Sequence, residues 1–571
     1  MFATLPALRW LRHYERSDLR GDAAAGITVA AMLVPQAMAY ALLAGLPPQV
    51  GLYAATIPLV VYAVLGTSRQ LAVGPVAIVS LLTASALAPI ATGETSAYIA
   101  AAALLALLVG VIHLVLGIAR LGWVVNLLSH SVLIGFTAAA AAIIGVSQIK
   151  HLLGIEVPRR DHVYETLIDI ARTMESTHLT TLAIGLGSVV ALVFMRRFVP
   201  RIPGALLIVV LSTAISTLAD LPSRGVRVVG DIPAGLPAFA IPSVGAGTIR
   251  DLAPTAIVIT LIGFVESIAV AKVYARRHRY EIDPNAELIA LGSANIAAGL
   301  TGAYPVGGGF ARTAVNDSAG ARTPMAAVFT AALVIVVLAI FTPAFEQLPQ
   351  AALAAIILVA VRNLIDVAEM RHVLTVKRTD GIGMVVATVA TLALGIETGI
   401  AIAVISSMLV VFARMSRPHT ALLGRIPGTT SYRNINRFPG AEQVDGIRMI
   451  RIDAAVSFVN AQWVKRLLLN AANEEPRPEH VVLDCSGIND LDATGADALS
   501  EVIEEFESLS TAFHLCDIKG PVRDVLHRSG IWGRLEGRIH ATAESARIMI
   551  EKGAPNIDLN ELGIDEPRIG S

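Results

Sequence analysis

The sequence predicts an all-α polytopic membrane domain followed by a small cytoplasmic α/β domain, and three observations lead to that fold class. The hydrophobic fraction of the 571 residues is 54%, the charged fraction is 16% and the mean hydropathy is +0.66, which is too apolar for a soluble protein of this length. Apolar runs of helical length continue to residue 413, and from about residue 445 the pattern alternates between strand and helix. Two of the runs follow glycine- and proline-rich stretches, which would interrupt a membrane helix.

The N-terminal segment, residues 1–21, is expected on the cytoplasmic side ahead of the first span. It contains four arginines: Arg9, Arg12, Arg16 and Arg20. The run at 22–45 is longer than the core of a secretory signal and no small-residue cleavage site follows it, so we expect a membrane span there. The formal net charge of the chain is -1, which gives no argument for a nucleic-acid partner.

The transport domain is expected to occupy residues 22–417 and to contain about fourteen spans. The apolar runs lie at 22–45, 49–65, 75–90, 97–118, 124–148, 178–195, 203–219, 251–274, 285–301, 309–320, 324–343, 349–365, 380–395 and 397–413. Runs 75–90 and 309–320 are short and directly follow the broken stretches, so we predict two half-helices that start near the midplane of the bilayer. They are the third and tenth runs, and a spacing of seven fits two seven-span repeats of inverted topology.

Lys and Arg residues follow most of the even-numbered runs, and this bias predicts cytoplasmic N- and C-termini for a multi-pass protein of the plasma (inner) membrane. The loops at 149–177 and 220–250 also contain Arg, but they are long and mixed with acidic residues, so they weigh less. Both cysteines, Cys485 and Cys516, lie in the polar C-terminal part, as expected for free thiols in a reducing cytosol.

Beyond the last span we expect a polar linker at 418–440, a small α/β domain at 441–553 and a loose acidic tail at 554–571. The pattern of the domain predicts strands at 448–452, 480–485 and 512–517 and helices at 460–473, 494–508, 521–529 and 542–552. Strands that alternate with helices favour a mainly parallel core sheet.

The two broken stretches, residues 71–80 and 302–312, predict an anion site. A half-helix exposes free N–H groups and about half a positive charge at its N-terminus, so two facing N-termini can hold a small oxyanion. The predicted donors are the backbone N–H groups of Val76, Ala77, Ile78, Phe310, Ala311 and Arg312. Gly74, Gly308 and Gly309 would let the backbone approach the ligand closely, and the alternative is that these glycines are packing points between helices.

Three further polar residues within the spans are candidates for the site. Gln36 and Tyr40 are four residues apart on the first span, so they share a face and bind either an anion or a neighbouring helix. Glu266 lies in the middle of an apolar run, where an ionisable residue costs about 2.5–3.5 kcal/mol on insertion scales. We expect Glu266 to carry a coupling proton, with a permanent ion pair to Arg312 as the structural alternative. No His/Cys/Asp cluster has metal-ligand spacing, so neither a metal nor a cofactor nor an enzyme activity is predicted.

Motifs spread over the apolar part of the chain carry a family resemblance. They are Pro35-Gln-Ala-Met-Ala-Tyr40, Gly45-Leu-Pro-Pro-Gln-Val-Gly-Leu-Tyr53, Gly74-Pro75, Asn285-Ala-Glu-Leu-Ile-Ala-Leu-Gly292, Asn295, Tyr304-Pro305, Phe310-Ala-Arg-Thr-Ala-Val-Asn316 and Gly320. With these motifs, most of residues 10–415 closely resembles the sulfate permease (SulP) family of anion transporters, and the C-terminal domain looks like a STAS domain. The resemblance implies a fourteen-span fold of two inverted repeats shared with uracil permeases, a homodimer, and transport of small anions such as sulfate, bicarbonate, chloride or dicarboxylates.

The same resemblance implies roles for individual residues. It places Gln36 and Tyr40 in the substrate cavity, and it relates Glu266 to proton-linked relatives, since sodium-linked ones tend to have Asp at that position. Many members have a serine immediately before the arginine, whereas this chain has Ala311. One hydroxyl donor is therefore missing from the site, which leaves the choice between sulfate and a monoanion such as bicarbonate open.

The favoured hypothesis is a secondary active transporter that carries out proton-coupled sulfate symport, with bicarbonate or C4-dicarboxylate transport or anion exchange as alternatives. A passive anion channel would need no midplane carboxylate, and a membrane scaffold would act by recruiting a cytosolic protein through the STAS domain. In that domain Thr494 matches the phosphorylatable serine of anti-sigma-factor antagonists, at a helix N-terminus that would favour a phosphate. The alternative is that Asp492 or Thr494 is only an N-cap.

Overall fold

The structure of the chain is a computed structural model, which describes residues 6–88, 95–123, 129–158, 160, 162–199, 203–233, 235–242 and 245–552. The chain divides into two compact units, Met1–Met408 and Leu409–Ser571, which we name the transport unit and the C-terminal unit. The predicted acidic tail at 554–571 and the first residues of the predicted run at 124–148 lie outside the described residues.

The elements described up to residue 416 are almost entirely helical. They are α1 Pro6–Leu11, α2 Arg16–Leu43, α3 Pro48–Tyr53, α4 Ile57–Leu65, β1 Val73–Gly74, α5 Ala77–Leu87, α6 Thr95–Ile118, α7 His130–Leu153, α8 Val163–Thr173, α9 Leu179–Phe198, α10 Gly204–Leu218, α11 Ala246–Arg277, α12 Pro284–Leu300, β2 Gly307–Gly308, α13 Phe310–Ser318, α14 Met325–Val336, α15 Gln350–Val361, α16 Val367–Val376, α17 Arg378–Leu394 and α18 Ile396–Ser416.

Every apolar run predicted from the sequence contains at least one of these helices, so the predicted helical membrane fold is confirmed. Within the described ranges, eight helical stretches are long and apolar enough to cross a membrane, and three shorter apolar helices, α5, α10 and α15, accompany them. The other six predicted runs contain the shorter helices α5, α10, α12, α13, α15 and α17, which have 9 to 17 residues. The sequence did not predict α8 and α16, which lie between the predicted runs.

The two broken stretches meet in the interior of the transport unit. β1 and β2 pair antiparallel, with Val73 opposite Gly308 and Gly74 opposite Gly307. The N–H of Gly309 also donates to the carbonyl of Ala72, at 3.2 Å. Each stretch thus supplies hydrogen-bond partners for the irregular backbone of the other, which an apolar membrane interior requires. The third and tenth predicted spans therefore begin at one crossing point.

Helix α12 packs closely against α6 through glycines. A Cβ atom added to Gly110 would lie 2.7 Å from the carbonyl oxygen of Gly292, and one added to Gly292 would lie 2.9 Å from that of Gly110. Such a close backbone approach leaves no room for a side chain, as is usual where membrane helices associate through small residues. It holds α12 against the body of the unit, and Asn295 of α12 in turn bonds to Val306 of the second broken stretch.

The C-terminal unit contains a six-stranded sheet in the order β4-β3-β5-β6-β7-β8. Its described elements beyond α18 are β3 Thr420–Arg425, β4 Tyr432–Asn434, β5 Ile447–Ile452, α19 Ala461–Asn473, β6 His480–Asp484, α20 Ala493–Ser508, β7 Ala512–Cys516, α21 Gly520–Arg528, α22 Ile531–Arg534, β8 Ile539–His540 and α23 Ala543–Lys552. Strands β5 to β8 are parallel, as predicted, and β3 is antiparallel to both of its neighbours. Apolar residues of α19, α20 and α21 cover one face of the sheet, and α23 covers the other.

The prediction of a polar linker at 418–440 requires correction. Residues of that range form β3 and β4, and β3 pairs with the central strand β5 from Thr420 opposite Ile452 to Leu423 opposite Met449. The composition of residues 418–440 is polar because β4 is an edge strand with an exposed face, and the sequence of such a strand resembles that of a loop. The sheet therefore begins directly after α18, and the unit extends further towards the N-terminus than the sequence suggested.

Three histidines on neighbouring parallel strands form a hydrogen-bonded row. His480 Nδ1 lies 3.0 Å from His514 Nε2, and His514 Nδ1 lies 3.0 Å from His540 Nε2. Burial, followed by the neighbouring imidazoles, lowers the pKa of His514 from 6.5 to about 3, and burial also lowers the pKa of His480. The folded unit therefore keeps the central imidazole neutral at pH values where the unfolded chain would protonate it.

Acidification below pH 6.5 is expected to destabilise the C-terminal unit. The unfolded chain binds a proton at His514 with its ordinary pKa of 6.5, whereas the folded chain binds it only near pH 3, so the free energy of unfolding falls as the pH drops through this window. Cys485 and Cys516 are buried free thiols in this unit. Pulse labelling of these cysteines in urea therefore reports its unfolding at each pH. The variant His514→Asn should lose most of the acid sensitivity, and equal sensitivity in both proteins would contradict the assignment.

Candidate anion-binding site

Helices α5 and α13 begin at the crossing point without side-chain caps. Their N-caps, Val76 and Gly309, are extended and neither makes a capping hydrogen bond through a side chain. The first amides bonded within the helices are those of Ser80, to the carbonyl of Val76, and Thr313, to the carbonyl of Gly309. The N–H groups before them have no helical acceptor, and they belong to Ala77, Ile78, Val79, Phe310, Ala311 and Arg312. Val76, one of the predicted donors, is the N-cap of α5, and Val79 is a further donor that the sequence did not indicate.

The side chain of Arg312 bridges the two broken stretches from the inside. Arg312 is 2% exposed, and its guanidinium donates to the carbonyl of Pro75 and, at 3.5 Å, to the carbonyls of Ala72 and Gly307. Its Nε is buried and has no hydrogen-bond partner. The guanidinium therefore adds a full positive charge beside two helix N-termini that already carry partial positive charge.

Glycine is favoured at Gly74 by its backbone conformation. Its φ of 150° lies in a range that residues with a side chain rarely adopt, although a Cβ there would make only an ordinary contact of 3.5 Å with the Arg312 guanidinium. A Cβ on Gly309 would lie only 3.1 Å from the same group. Gly309 thus leaves room for the arginine at the crossing point, and Gly74 allows the backbone conformation there. Both roles differ from the helix-packing role that was the alternative.

Glu266 lies on α11, and the residue that follows it on this helix, Ser267, is hydrogen-bonded to the second broken stretch. Ser267 Oγ accepts a hydrogen bond from the N–H of Gly308 at 2.8 Å and donates to the carbonyl of Gly263 at 2.5 Å. One carboxylate oxygen of Glu266, Oε2, is buried and has no hydrogen-bond partner. Among the described carboxylates none forms an ion pair with Arg312 within 4.0 Å, although Glu266 is near enough to interact with its charge. The structure thus does not contain the permanent Glu266–Arg312 pair, and Ser267 is a contact that sequence reasoning missed.

Gln36 and Tyr40 lie one turn apart on α2, and each is 8% exposed. In the part of the chain that the structure describes, neither side chain makes a hydrogen bond to another residue. The interhelical hydrogen bonds that were the alternative for this pair are therefore not made. Tyr40 is close enough to Arg312 to interact with its charge, which puts it on the arginine side of the crossing point. Buried polar groups are normally hydrogen-bonded, so this pair has donors and an acceptor available for a ligand.

The two helix ends differ in accessibility. Ala77 is buried at the start of α5, whereas Phe310 is 53% exposed and Ala311 is exposed at the start of α13. The ring of Phe310 lies 6.3 Å from that of Tyr274 on α11, measured between centroids. The first turn of α13 is therefore the more exposed side of the site.

Helix α12 holds the second broken stretch, and the segment that leads into the first, through two buried polar side chains. The carboxylate of Glu287 accepts hydrogen bonds from the hydroxyl of Tyr62 at 2.7 Å and from the N–H and hydroxyl of Thr67, both at 2.6 Å. The amide of Asn295 accepts from the N–H of Val306 at 2.9 Å and donates to its carbonyl at 3.1 Å. Both residues occur in motifs that carry the family resemblance, but the sequence alone gave neither a role.

Replacing Asn295 by alanine is expected to weaken anion uptake and to lower stability together. The N–H and carbonyl of Val306 would remain buried without partners, at a cost of about 1–3 kcal/mol for each group. Thermal unfolding and the KM for uptake measure the two effects. Ser293→Ala is the control, because Ser293 lies on the same helix and bonds only to the carbonyl of Ile289 within it. A normal KM in Asn295→Ala would contradict the positioning role.

In the C-terminal unit, Asp492 and Thr494 have different positions relative to helix α20. Asp492 is the N-cap of α20: its Oδ1 accepts from the N–H of Gly495 and its Oδ2 from the N–H of Phe458, both at 2.8 Å. Thr494 lies exposed in the first turn of the same helix and is not the cap. The N-cap alternative thus holds for Asp492 and leaves the Thr494 hydroxyl accessible.

The C-terminal ends of β6 and β7 bring together three groups of metal-ligating type, which the sequence spacing did not indicate. One ligand atom each of Asp484, Cys516 and Asp517 lies within 4.8 Å of the others. Burial, followed by Asp484, raises the pKa of both the Cys516 thiol and the Asp517 carboxyl. Asp484 and Asp517 also accept hydrogen bonds from the N–H groups of Ser486 and Ala543. The thiol thus favours its protonated form and the Asp517 carboxyl is harder to ionise, whereas metal ligands must be deprotonated.

Comparison with family models gives two matches along the chain. The model of the sulfate permease family matches residues 19–389, and the model of the STAS domain matches residues 439–546. The first of these ranges includes both broken stretches, Glu266 and the supporting helix α12. The second includes the parallel part of the sheet and Thr494.

Curated relatives align over nearly the whole chain. Sulfate transporter 4.1, chloroplastic, of Arabidopsis thaliana is 38% identical over 546 residues, which are 92% of this chain and 79% of that protein. A probable sulfate transporter of Mycobacterium tuberculosis is 36% identical over 543 residues, which are 95% of this chain and 97% of that protein.

Solved structures show the same fold. The murine Solute Carrier 26 family member A9 anion transporter in the inward-facing state matches with a TM-score of 0.90 at 26% identity, over 96% of this chain and 94% of that one. The transmembrane domain of the cyanobacterial bicarbonate transporter BicA matches with a TM-score of 0.60 at 24% identity, over 69% of this chain and 98% of that one. The helical transport unit and the C-terminal sheet thus occur together in a solved anion transporter.

Proposed function

The chain belongs to the sulfate permease family of anion transporters, and on that basis we propose that it is a secondary active, proton-coupled symporter of sulfate. It is a transporter and not an enzyme. Relatives named as sulfate transporters support sulfate as the first substrate to test, and bicarbonate or a C4-dicarboxylate remains the alternative.

The observation that carries the proposal is the pairing of two uncapped helix N-termini around a buried arginine. The anion would lie between the first turns of α5 and α13 and accept hydrogen bonds from their free N–H groups. Gln36 and Tyr40 would contact it from α2, since no hydrogen bond within the described residues occupies their side chains. Arg312 would supply the charge that draws the anion to the crossing point, because its guanidinium is held there by carbonyls of both stretches.

Coupling would run through Glu266. An ionised carboxylate near an anion site repels the anion, whereas a protonated one does not, so proton and anion favour each other's binding. The buried Oε2 of Glu266 has no hydrogen bond that would stabilise a negative charge. Reciprocal binding of this kind is the thermodynamic basis of symport.

We extend the proposal to location and assembly. The basic residues that follow most even-numbered spans support cytoplasmic termini in a plasma (inner) membrane. A homodimer rests on the family resemblance alone. Phosphorylation of Thr494 is proposed as a regulatory step that acts through a cytosolic partner of the STAS domain, because its hydroxyl is exposed at the N-terminus of α20 and leaves the capping to Asp492.

Uptake into proteoliposomes tests this function. Labelled sulfate, bicarbonate and a C4-dicarboxylate are supplied separately, with and without an inward pH gradient. Accumulation of sulfate that requires the gradient supports the proposal. Equilibration without accumulation indicates a passive channel, and accumulation only against a second anion inside indicates an exchanger.

Restoring a hydroxyl at the site by Ala311→Ser is expected to shift selectivity towards sulfate. The added donor would favour the dianion by up to about 1 kcal/mol, the net value of one hydrogen bond, or about fivefold in relative affinity. Ala311 is exposed in the first turn of α13, so serine fits without repacking. Competition of sulfate and bicarbonate for uptake measures the ratio, and an unchanged ratio would argue against direct contact between residue 311 and the anion.

A further inference from the structure

An exposed phenylalanine of the C-terminal unit lies in the loop that is attached to the end of α18. Phe458 is 72% exposed and belongs to the loop between β5 and α19. Asn460, in the same loop, donates from its side chain to the carbonyl of Met415 at 3.1 Å and to the carbonyl of Ala455 at 2.9 Å. Its Oδ1 accepts from the N–H of Ser457 at 2.9 Å. A single buried amide thus ties this loop to the last turn of α18.

The end of α18 has the composition of a span that ends at a membrane surface. The stretch Thr398–Ser416 is one of the helices long and apolar enough to cross a membrane, and Arg414 and Arg417 lie at its end. Basic residues collect where a span meets the headgroups of the cytoplasmic leaflet. Met415 is in the last turn of α18, so a span that ends here would bring its carbonyl, and the Phe458 loop that Asn460 ties to it, near the headgroups.

We propose that the loop at 453–460 contacts the lipid surface and that Phe458 inserts its ring into the interfacial region. The N–H of Phe458 is already bonded to Asp492 Oδ2, so the backbone at this point does not need water while the ring points away from the unit. An exposed apolar ring gains free energy when it leaves water for the boundary of the acyl chains. The arginines at the end of α18 complement anionic headgroups beside it. This contact is independent of which anion the transport unit carries.

The proposed lipid contact lies next to the helix turn that contains Thr494. Asp492 accepts a hydrogen bond from the backbone N–H of Phe458 with one oxygen and caps α20 with the other. The Phe458 loop and the first turn of α20 therefore bind the same carboxylate. A negative charge added in that turn would lie next to the anchored loop and would be repelled by anionic lipid. The surface around Phe458 is therefore a membrane contact that a phosphate at this position would weaken.

Site-directed labelling of the full-length protein in liposomes tests the contact. Both native cysteines are buried, so Phe458→Cys provides an accessible thiol for a fluorescent bimane label. The control is Ser508→Cys, an exposed position at the other end of the 16-residue helix α20, which is about 24 Å away along the helix axis. Each protein is reconstituted in phosphatidylcholine–phosphatidylglycerol vesicles with and without brominated lipid.

The label at position 458 is expected to be quenched by brominated lipid and protected from aqueous iodide, with the reverse at position 508. Adding Asn460→Ala to Phe458→Cys should reduce quenching by lipid, because the loop is no longer tied to α18. Equal quenching by iodide at both positions would overturn the proposal. Protection of position 458 from both quenchers would also overturn it, since the loop would then be covered by protein.

Discussion

Replacing Ala311 by phenylalanine is expected to abolish anion binding while the protein stays folded. Ala311 is exposed in the first turn of α13, so a larger side chain meets no packed neighbour there and instead fills the space in front of the free N–H groups. An anion that cannot approach these groups loses several hydrogen bonds to charged ligand at once, each worth about 1.5–3 kcal/mol. Equilibrium binding of labelled sulfate and thermal unfolding, measured on the same preparation, separate loss of the site from loss of the fold.

The control is Ser318→Phe, at the exposed C-terminal end of the same half-helix, which should bind sulfate normally. Ala77 is the corresponding residue on α5, but it is buried, so Ala77→Phe should lower stability as well as binding. Wild-type affinity in folded Ala311→Phe would refute a site between the two helix ends.

The variant Glu266→Gln is expected to exchange anion but to lose accumulation driven by a pH gradient. Glutamine resembles the protonated carboxyl in shape and charge, so the anion is not repelled, yet no proton is taken up or released. In the wild-type protein a gradient of one pH unit supplies about 1.4 kcal/mol for each coupled proton, which corresponds to about tenfold accumulation. The ratio of internal to external sulfate at steady state should fall to that of passive equilibration.

Glu266→Asp is the matched control, because it keeps a titratable carboxyl at the position and should retain part of the coupling. Counterflow of labelled sulfate against unlabelled sulfate checks that Glu266→Gln still cycles. If the glutamine variant accumulates sulfate as the wild type does, coupling resides elsewhere and Glu266 serves only the electrostatics around Arg312.

The spans, their pairing and the position of the crossing were predictable because they depend on long-range patterns of composition. A break within an apolar run must be buried or line a cavity, and two breaks seven spans apart imply that they meet. The pairing of Val73 with Gly308 agrees with this expectation. What could not be predicted is the set of side chains that hold the second break, since Ser267 and Asn295 look like ordinary polar residues until the segment that faces them is known.

The strands β3 and β4 were the other failure, and the cause is local. They lie in a stretch of polar composition, and their hydrogen-bonded partners across the sheet stabilise them. The row of imidazoles at His514 is formed by residues of three separate strands, so no short sequence motif predicts it.

The hydrogen bonds of Glu287 have a consequence for chimeric transporters. The carboxylate belongs to the second half of the transport unit, whereas Tyr62 and Thr67, which donate to it, belong to the first. Exchanging one half for that of a relative would pair a carboxylate with donors selected for a different partner, so the exchange should work only when α4, the following loop and α12 move together. Substitutions at these positions would then be inherited as a set, and the two repeats, although similar in fold, are not free to diverge separately at the point where they meet.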